Sequence, residues 1–467
     1  MEMPHDPMEE RKKNREKVKQ ERLQRQKTML IRLIIAGGVL VACAVLILVV
    51  ALSRGSQEPE QTVPSTQQTT ASDPSDTTHT GDTQAGQTQS DPTGTVSSGT
   101  EALPQTDTTA AQTETIGEKS VIHITSVGDL NITDRVVEAG GDNFDYTGVF
   151  MDVVPLLTAA DLTTVNLEGN FYGAPYGTQN ASAPHQLLTA LSNAGIDLIQ
   201  MANSYAIKNG VSGLVSTLQY IEAAGLEAMG AYESNGDFNR TGGYNIRTIN
   251  GIKVAFVAFT KGMDGMALPR GNEKCVNLLY TDYSATYQKV DTQRITSILK
   301  AAKKEKPDII IAMLHWGSEY NDIHSKSQEN IKKLLLAEGV DVIIGTHPHY
   351  VQQIEYDPAT GTLVAYSLGD FLSDADKGGT EYSIVLDLEI TKDYETEETR
   401  VTKYSYTPIF TISDEKTLRV VRLGSAMAAY ERHHISRISK ETYADMQYAL
   451  ERIAARVVPP VVEDEKK

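Results

Sequence analysis

Apolar and polar positions divide the chain into four stretches of different texture. Residues 9–28 are almost wholly polar, whereas 33–52 hold twenty residues without a charge. Residues 53–118 contain no aromatic side chain and only four residues among Val, Leu and Ile. From Ser120 onward, apolar positions recur with the periods of strands and helices. Residues 121–128 read as a strand, the spacing of Val149, Val153, Leu156 and Leu157 predicts a helix, and 162–166 read as the next strand. Pro184 opens a helix carrying Leu187, Leu188 and Leu191; strand 196–201 follows, then a helix marked by Leu214, Leu218 and Ile221. Asn250-Gly251 between the strand-like runs 244–249 and 252–259 predicts a hairpin. Helix 291–304 leads to strand 309–314, and helix 328–337 to strand 341–344. The runs 352–356, 363–368 and 382–390 read as antiparallel strands. Tyr443, Met446, Leu450, Ile453 and Val457 mark a last amphipathic helix, stopped by Pro459-Pro460. Alternating strands and helices with some antiparallel pairing predict an α/β fold of mixed sheets.

The stretches before Ser120 predict a different kind of structure. Twenty uncharged, largely apolar residues match the thickness of one bilayer. Residues 1–32 carry ten Lys/Arg against six Asp/Glu, and only Arg54 follows the span closely. That asymmetry predicts a single-pass membrane protein with a cytoplasmic amino terminus and an extracellular carboxyl-terminal domain. The expected division is a basic cytoplasmic tail, 1–28; a transmembrane helix, 29–52; a disordered Thr/Ser/Gln/Asp-rich linker, 53–118; a folded domain, 119–425; and a helix and tail, 426–467. Leu40-Val-Ala-Cys43 also resembles a lipoprotein cleavage box, which leaves lipidation of Cys43 open. The linker cannot offset its ordering entropy by burial, and as a coil it would hold the domain on the order of 50 Å from the bilayer, as a tether through a cell wall requires.

Charge narrows the partners. Residues 53–118 are net −9 and residues 119–467 about −13, so the folded part is acidic. Phosphate backbones need a basic face, which excludes nucleic acid as a partner. With only Cys43 and Cys275 present, and Cys43 inside the apolar run, no intramolecular disulfide is expected.

Several predicted strands end in polar groups that would gather at the carboxyl ends of an α/β sheet, where ligands bind. These are Gly128-Asp129-Leu-Asn131, Asn166-Leu-Glu168-Gly169, Ala202-Asn203-Ser204-Tyr205, His315-Trp-Gly-Ser-Glu319-Tyr320, His347-Pro-His349 and Tyr366-Ser-Leu-Gly369-Asp370-Phe371. Singly, an Asp after Gly is usually a turn and a His at a strand end a hydrogen-bonded group. Together, two carboxylates and three imidazoles suffice for two divalent ions about 4 Å apart, with water activated between them.

In that order, over roughly residues 120–425, these motifs resemble the CapA family of bacterial capsule synthesis proteins, linked to poly-γ-glutamate. The resemblance implies a calcineurin-like metallophosphatase fold, a sandwich of mixed β-sheets flanked by helices. It implies a divalent metal centre, of two ions among Mn, Fe or Zn, with Asp129, Glu168, Ser204, His315, His347 and His349 at ligand positions and Glu168 bridging. Tyr205, His315 and Glu319 fall at catalytic positions. The implied partners are an anionic capsule polymer or its precursor and other membrane capsule-synthesis proteins, and the implied activity is that of a metal-dependent hydrolase or transferase. The third motif departs from the family's Ala-Asn-Asn-His and following Asp: Ser204, Tyr205 and Lys208 stand at those places, and Asp370 stands where Asn is usual. A serine hydroxyl is a poor ligand for most divalent ions, and tyrosine, with a pKa near 10, is a weak proton donor at neutral pH. The alternative is therefore a non-catalytic binding and assembly protein, or a sensing or wall-tethering module, on the same scaffold.

Overall fold

The computed structural model describes residues 119–415, 417–432 and 438–457. The tail 1–28, the span 29–52 with Cys43, and the linker 53–118 lie outside the described residues. Among those described, no helix is long and apolar enough to cross a membrane.

Strands β1 (Lys119–Asn131), β2 (Leu162–Glu168), β3 (Leu198–Gln200) and β4 (Glu227–Met229) lie side by side and parallel. Then β5 (Asn245–Ile249) turns antiparallel into β6 (Ile252–Thr260), with Asn250 and Gly251 both at positive φ, as a tight hairpin requires. Parallel to β6 follow β7 (Ile309–His315) and β8 (Val342–Thr346). The antiparallel pair β9 (Ile354–Asp357) and β10 (Thr362–Ala365) closes that sheet, β10 lying parallel on β8. The chain then returns to the first sheet through β11 (Asp370–Leu372), parallel to the end of β1. An antiparallel meander of β12 (Tyr382–Asp393), β13 (Glu398–Ser413) and β14 (Leu418–Arg422) extends it. Among the described residues the sheets run β14-β13-β12-β1-β2-β3-β4, with β11 beside β1, and β5-β6-β7-β8-β10-β9.

Alternation along β6 shows how the layers stack. Val254, Phe256 and Ala258 join the core shared with the first sheet, while Ala255, Val257 and Phe259 pack with Ile295, Ile298 and Leu299 of the helix Thr292–Lys304. Ile331 and Leu335 of the helix Lys326–Ala337 cover the same outer face. The helices Gln186–Ala194 and Gly210–Ala223 supply Leu187, Leu188, Leu191, Leu214 and Ile221 to the larger core. A strand covered on both faces reads as a continuous apolar run, which is why Ile309–His315 is buried throughout.

The chain departs from the sequence reading in three places. Val149 to Leu157 form two one-turn helices, Thr147–Phe150 and Val154–Leu157, because Pro155 carries no N–H to continue the first. Strands β1 and β2 run on to Asn131 and Glu168, three and two residues beyond the expected ends, so both carboxylates sit in ladder register, Asp129 opposite Asn166. The boundary expected after residue 425 falls inside the helix Leu423–Glu431. Met446, Ala449, Ile453 and Val457 of the helix Lys440–Val457 are buried in the main core, and Arg452 and Arg456 reach Asp322 at 3.1 and 2.9 Å.

Candidate metal centre

Parallel register within each sheet brings the ends of β1, β2, β7 and β8 to one place. The contact across the sheets is direct, since the backbone N–H of His347 donates to Oδ2 of Asp129 at 2.9 Å. His347 and His349 both hold left-handed backbone, φ +92° and +59°. Such geometry costs about 1–3 kcal/mol per residue and persists only where the surroundings enforce it. Here it turns two residues flanking Pro348 toward the carboxylates rather than along the strand.

Asp129, Glu168, Ser204, His315, His347 and His349 are all buried, and the fold brings them together. Single ligand atoms of Asp129, Glu168 and His349 lie within 4.8 Å of one another, as do those of Glu168, His315 and His347, so Glu168 is common to both halves. Glu319, exposed at the mouth, makes a further grouping with His347 and His349. Tyr205 is half-buried beside these groups, its backbone N–H bonded to Oδ1 of Asn203 at 3.0 Å. A fourth grouping, His324, Glu329 and Glu355, lies elsewhere and is already served by a cation: Lys332 reaches Glu329 at 3.0 Å and Glu355 at 2.9 Å.

A network of amides fixes the carboxylates. Asn166 donates to Oδ1 of Asp129 at 2.6 Å and to Oε1 of Glu168 at 3.3 Å, while Asn203 donates to Oδ1 of Asn166 at 3.1 Å. Oδ1 of Asp370 lies 2.7 Å from Nδ1 of His349, which fixes the ring and leaves Nε2 facing away from that partner. A carboxylate behind a histidine is the usual support of a metal-ligating imidazole. Nδ1 of His347 is buried without a hydrogen-bond partner, and such an atom in native protein calls for an explanation.

Electrostatics point the same way. Burial pushes Asp129 up to about 6, with Asp370 adding to the rise and His349 opposing it. Glu168 is raised well above the carboxylate range by burial and then by Asp129. Burial and neighbouring cationic groups hold His315 and His347 far below ordinary imidazole values. Burial also opposes charge on His349, but Asp370, Glu168 and Asp129 together overcome it and raise its pKa. Crowded buried carboxylates beside neutral imidazoles form a donor set that a divalent cation relieves. The residues present therefore fit such an ion, Asp129, Glu168 and His349 most completely. If Asp370 supports His349 in this way, Asp370→Asn should weaken manganese binding about 10–100-fold, read by titration calorimetry. An unchanged affinity would deny it that role.

The sequence reading passed over three contributors to the site. Asn166 and Asp370 stood within the strand-end motifs, yet their roles depend on partners 37 and 21 residues away. Lys261 follows the last residue of β6 and carried no sequence signal; its Nζ lies 3.3 Å from Nε2 of His347. With Ser204, Gly262, Asp264, Tyr287, Ser318 and Glu319 it lines a cavity of about 250 Å³ that opens onto the centre.

The family model described as bacterial capsule synthesis protein PGA_cap matches residues 123–375. The chain is similar to the capsule biosynthesis protein CapA of Bacillus anthracis, 28% identical over 266 residues, 55% of this chain and 61% of that protein. It is also similar to the PGA biosynthesis protein CapA of Bacillus subtilis (strain 168), 26% identical over 260 residues, 54% of this chain and 64% of that protein. The matched part thus spans less than two thirds of the length of either relative. Among solved structures, a novel phosphatase from Mycoplasma pneumoniae shares 14% identity at a TM-score of 0.39, covering 64% of this chain and 96% of that one. A hypothetical protein from Thermus thermophilus shares 15% identity at a TM-score of 0.38, covering 62% and 98%.

Proposed function

Because this chain belongs to the bacterial capsule synthesis protein family, whose model spans residues 123–375, we propose that it engages an anionic capsule polymer of the poly-γ-glutamate type, or its precursor, at a divalent metal centre. In this reading residues 33–52 anchor it in the cell membrane with the domain outside, where it acts with other membrane capsule-synthesis proteins in making or attaching the polymer. The scaffold is read as metallophosphatase-like. The observation that carries the proposal is the set Asp129, Glu168 and His349, with Asp370 behind the histidine. An acidic domain holds a polyanion only with cations between the two, and a divalent ion at the centre supplies that bridge.

One observation favours a binding and assembly role over bond cleavage. Burial, reinforced by Glu168 and Glu319, pushes the Tyr205 hydroxyl up to about 12, further from useful proton donation than an ordinary tyrosine. The test incubates the full chain with poly-γ-glutamate and manganese, following both retention and chain length of the polymer. Retention abolished by chelation, with polymer length unchanged, is the outcome of the assembly role. Shortened polymer would establish a hydrolase, and retention indifferent to the metal would remove the centre from the function. Restoring a metal-binding amide and an imidazole by Ser204→Asn with Tyr205→His should then raise hydrolysis of an activated phosphoester, since general acid catalysis contributes about 100–10,000-fold.

A further inference from the structure

One side of the centre's mouth is carried by the connection 316–325, between the strand Ile309–His315 and the helix Lys326–Ala337. Ser318 and Glu319 line the cavity, and the ring of Tyr320 stacks on that of His349, centroids 5.4 Å apart. Tyr320 holds left-handed backbone, φ +56°. A bulky residue keeps such a conformation only where its surroundings enforce it. Its N–H donates to the carbonyl of Pro348 at 2.9 Å, which ties the connection to the turn carrying the two histidines. The carbonyl of Asn321 accepts from Nε2 of Gln352 at 2.7 Å.

The next residue, Asp322, is held from far along the chain. Arg452 and Arg456, one turn apart on the helix Lys440–Val457, both donate to its Oδ2, at 3.1 and 2.9 Å. Arg456 also donates through Nη1 to the hydroxyl of Tyr382 at 3.1 Å, and its guanidinium lies 5.4 Å from the ring of Tyr350. Tyr350 in turn meets the ring of Tyr320 edge-on, centroids 5.9 Å apart. Met446, Ala449 and Ile453 fix the helix in the main core, so both arginines stand on a rigid support. A helix that only covered the core would let its arginines extend into water. These two converge on a single carboxylate at the mouth of the centre, from a helix beyond the residues 123–375 that the family model matches.

We propose that Arg452 and Arg456 are positioning residues of the centre: by holding Asp322 they fix the connection 316–325, keeping Tyr320 against His349 and Glu319 on the cavity wall. The carboxyl-terminal helix thereby sets how fast an ion leaves the centre. The hold on Asp322 stands on the contacts alone; its effect on the ion rests on the metal centre proposed above.

Two measurements on the full chain test this. Amide hydrogen exchange, run without metal, compares residues 318–324 with the strands Ile309–His315 and Val342–Thr346. Arg452→Met with Arg456→Met, and Asp322→Asn alone, should each speed exchange in 318–324 about 10-fold and leave the strand amides at native rates, as the loss of hydrogen bonds to a charged group in one local unit predicts. Combining all three changes should add nothing further, because they remove the same contact. Release of bound manganese to excess chelator should quicken about 10-fold in the same variants. Native exchange rates in the arginine variant, additive effects in the combined one, or equal acceleration of the strand amides would overturn the positioning role. Faster exchange in 318–324 with manganese release unchanged would overturn the control of the ion. A native chain that binds no manganese would strike the metal reading beneath, while the exchange rates still decide the hold on Asp322.

Discussion

Gly345→Ala should leave little folded protein. A methyl group on Gly345 would stand 2.0 Å from the carbonyl oxygen of Tyr366 and 2.4 Å from Nε1 of Trp316. Those two atoms are bonded to each other at 2.9 Å, and Trp316 is 2% exposed, so neither can withdraw. Overpacking by a methylene costs about 1–3 kcal/mol where side chains can yield. Here the obstacle is main chain, and a loss above about 4 kcal/mol is expected, in the range reserved for severe defects. Gly128→Ala should behave alike, its added atom falling 1.7 Å from the carbonyl oxygen of Gly369. Gly148, in the helix Thr147–Phe150 with no atom within 4 Å of an added methyl, is the control; its alanine variant should gain about 0.4–1 kcal/mol. Urea midpoints of the three variants decide the matter. A Gly345→Ala chain as stable as the native one would mean that β8 does not lie against Tyr366.

The second large effect concerns the ion. A ligand at a hundred times its dissociation constant stabilises the native state by about 2.7 kcal/mol. Manganese at that excess should raise the melting temperature of the native chain and do nothing for His349→Ala, which lacks the imidazole grouped with Asp129 and Glu168. Thermal scans with manganese and with chelator, run on both proteins, give the comparison. Equal manganese-induced shifts would place the ion elsewhere.

How much of this was legible in the sequence depends on the range of the interaction concerned. Strand ends carrying Asp129, Glu168, His315 and His347 could be read because an apolar run ending in a polar group is a local pattern, and parallel strands bring such ends together. The hairpin at Asn250-Gly251 was legible for the same reason. Pro155 was visible but outweighed by the apolar spacing around it. The strand Glu398–Ser413 was not legible, since its exposed outer half alternates polar residues with tyrosines and Pro408 interrupts the rest. Three-residue β11 is too short to show a period, yet it sets Asp370 opposite Asp129. Lys261 could not be found at all: a lysine after a strand is ordinarily a solvated end, and only the fold places it against His347, 86 residues on. The left-handed backbone of the two histidines likewise goes with tertiary contacts, the N–H of His347 meeting Asp129 and the ring of His349 meeting Asp370.

The most direct measurement is anomalous diffraction from crystals of the chain grown with manganese. The expected result is a strong peak enclosed by Asp129, Glu168 and His349. A peak at Glu319, His347 and His349 instead, or no peak at any of these residues, would contradict the account.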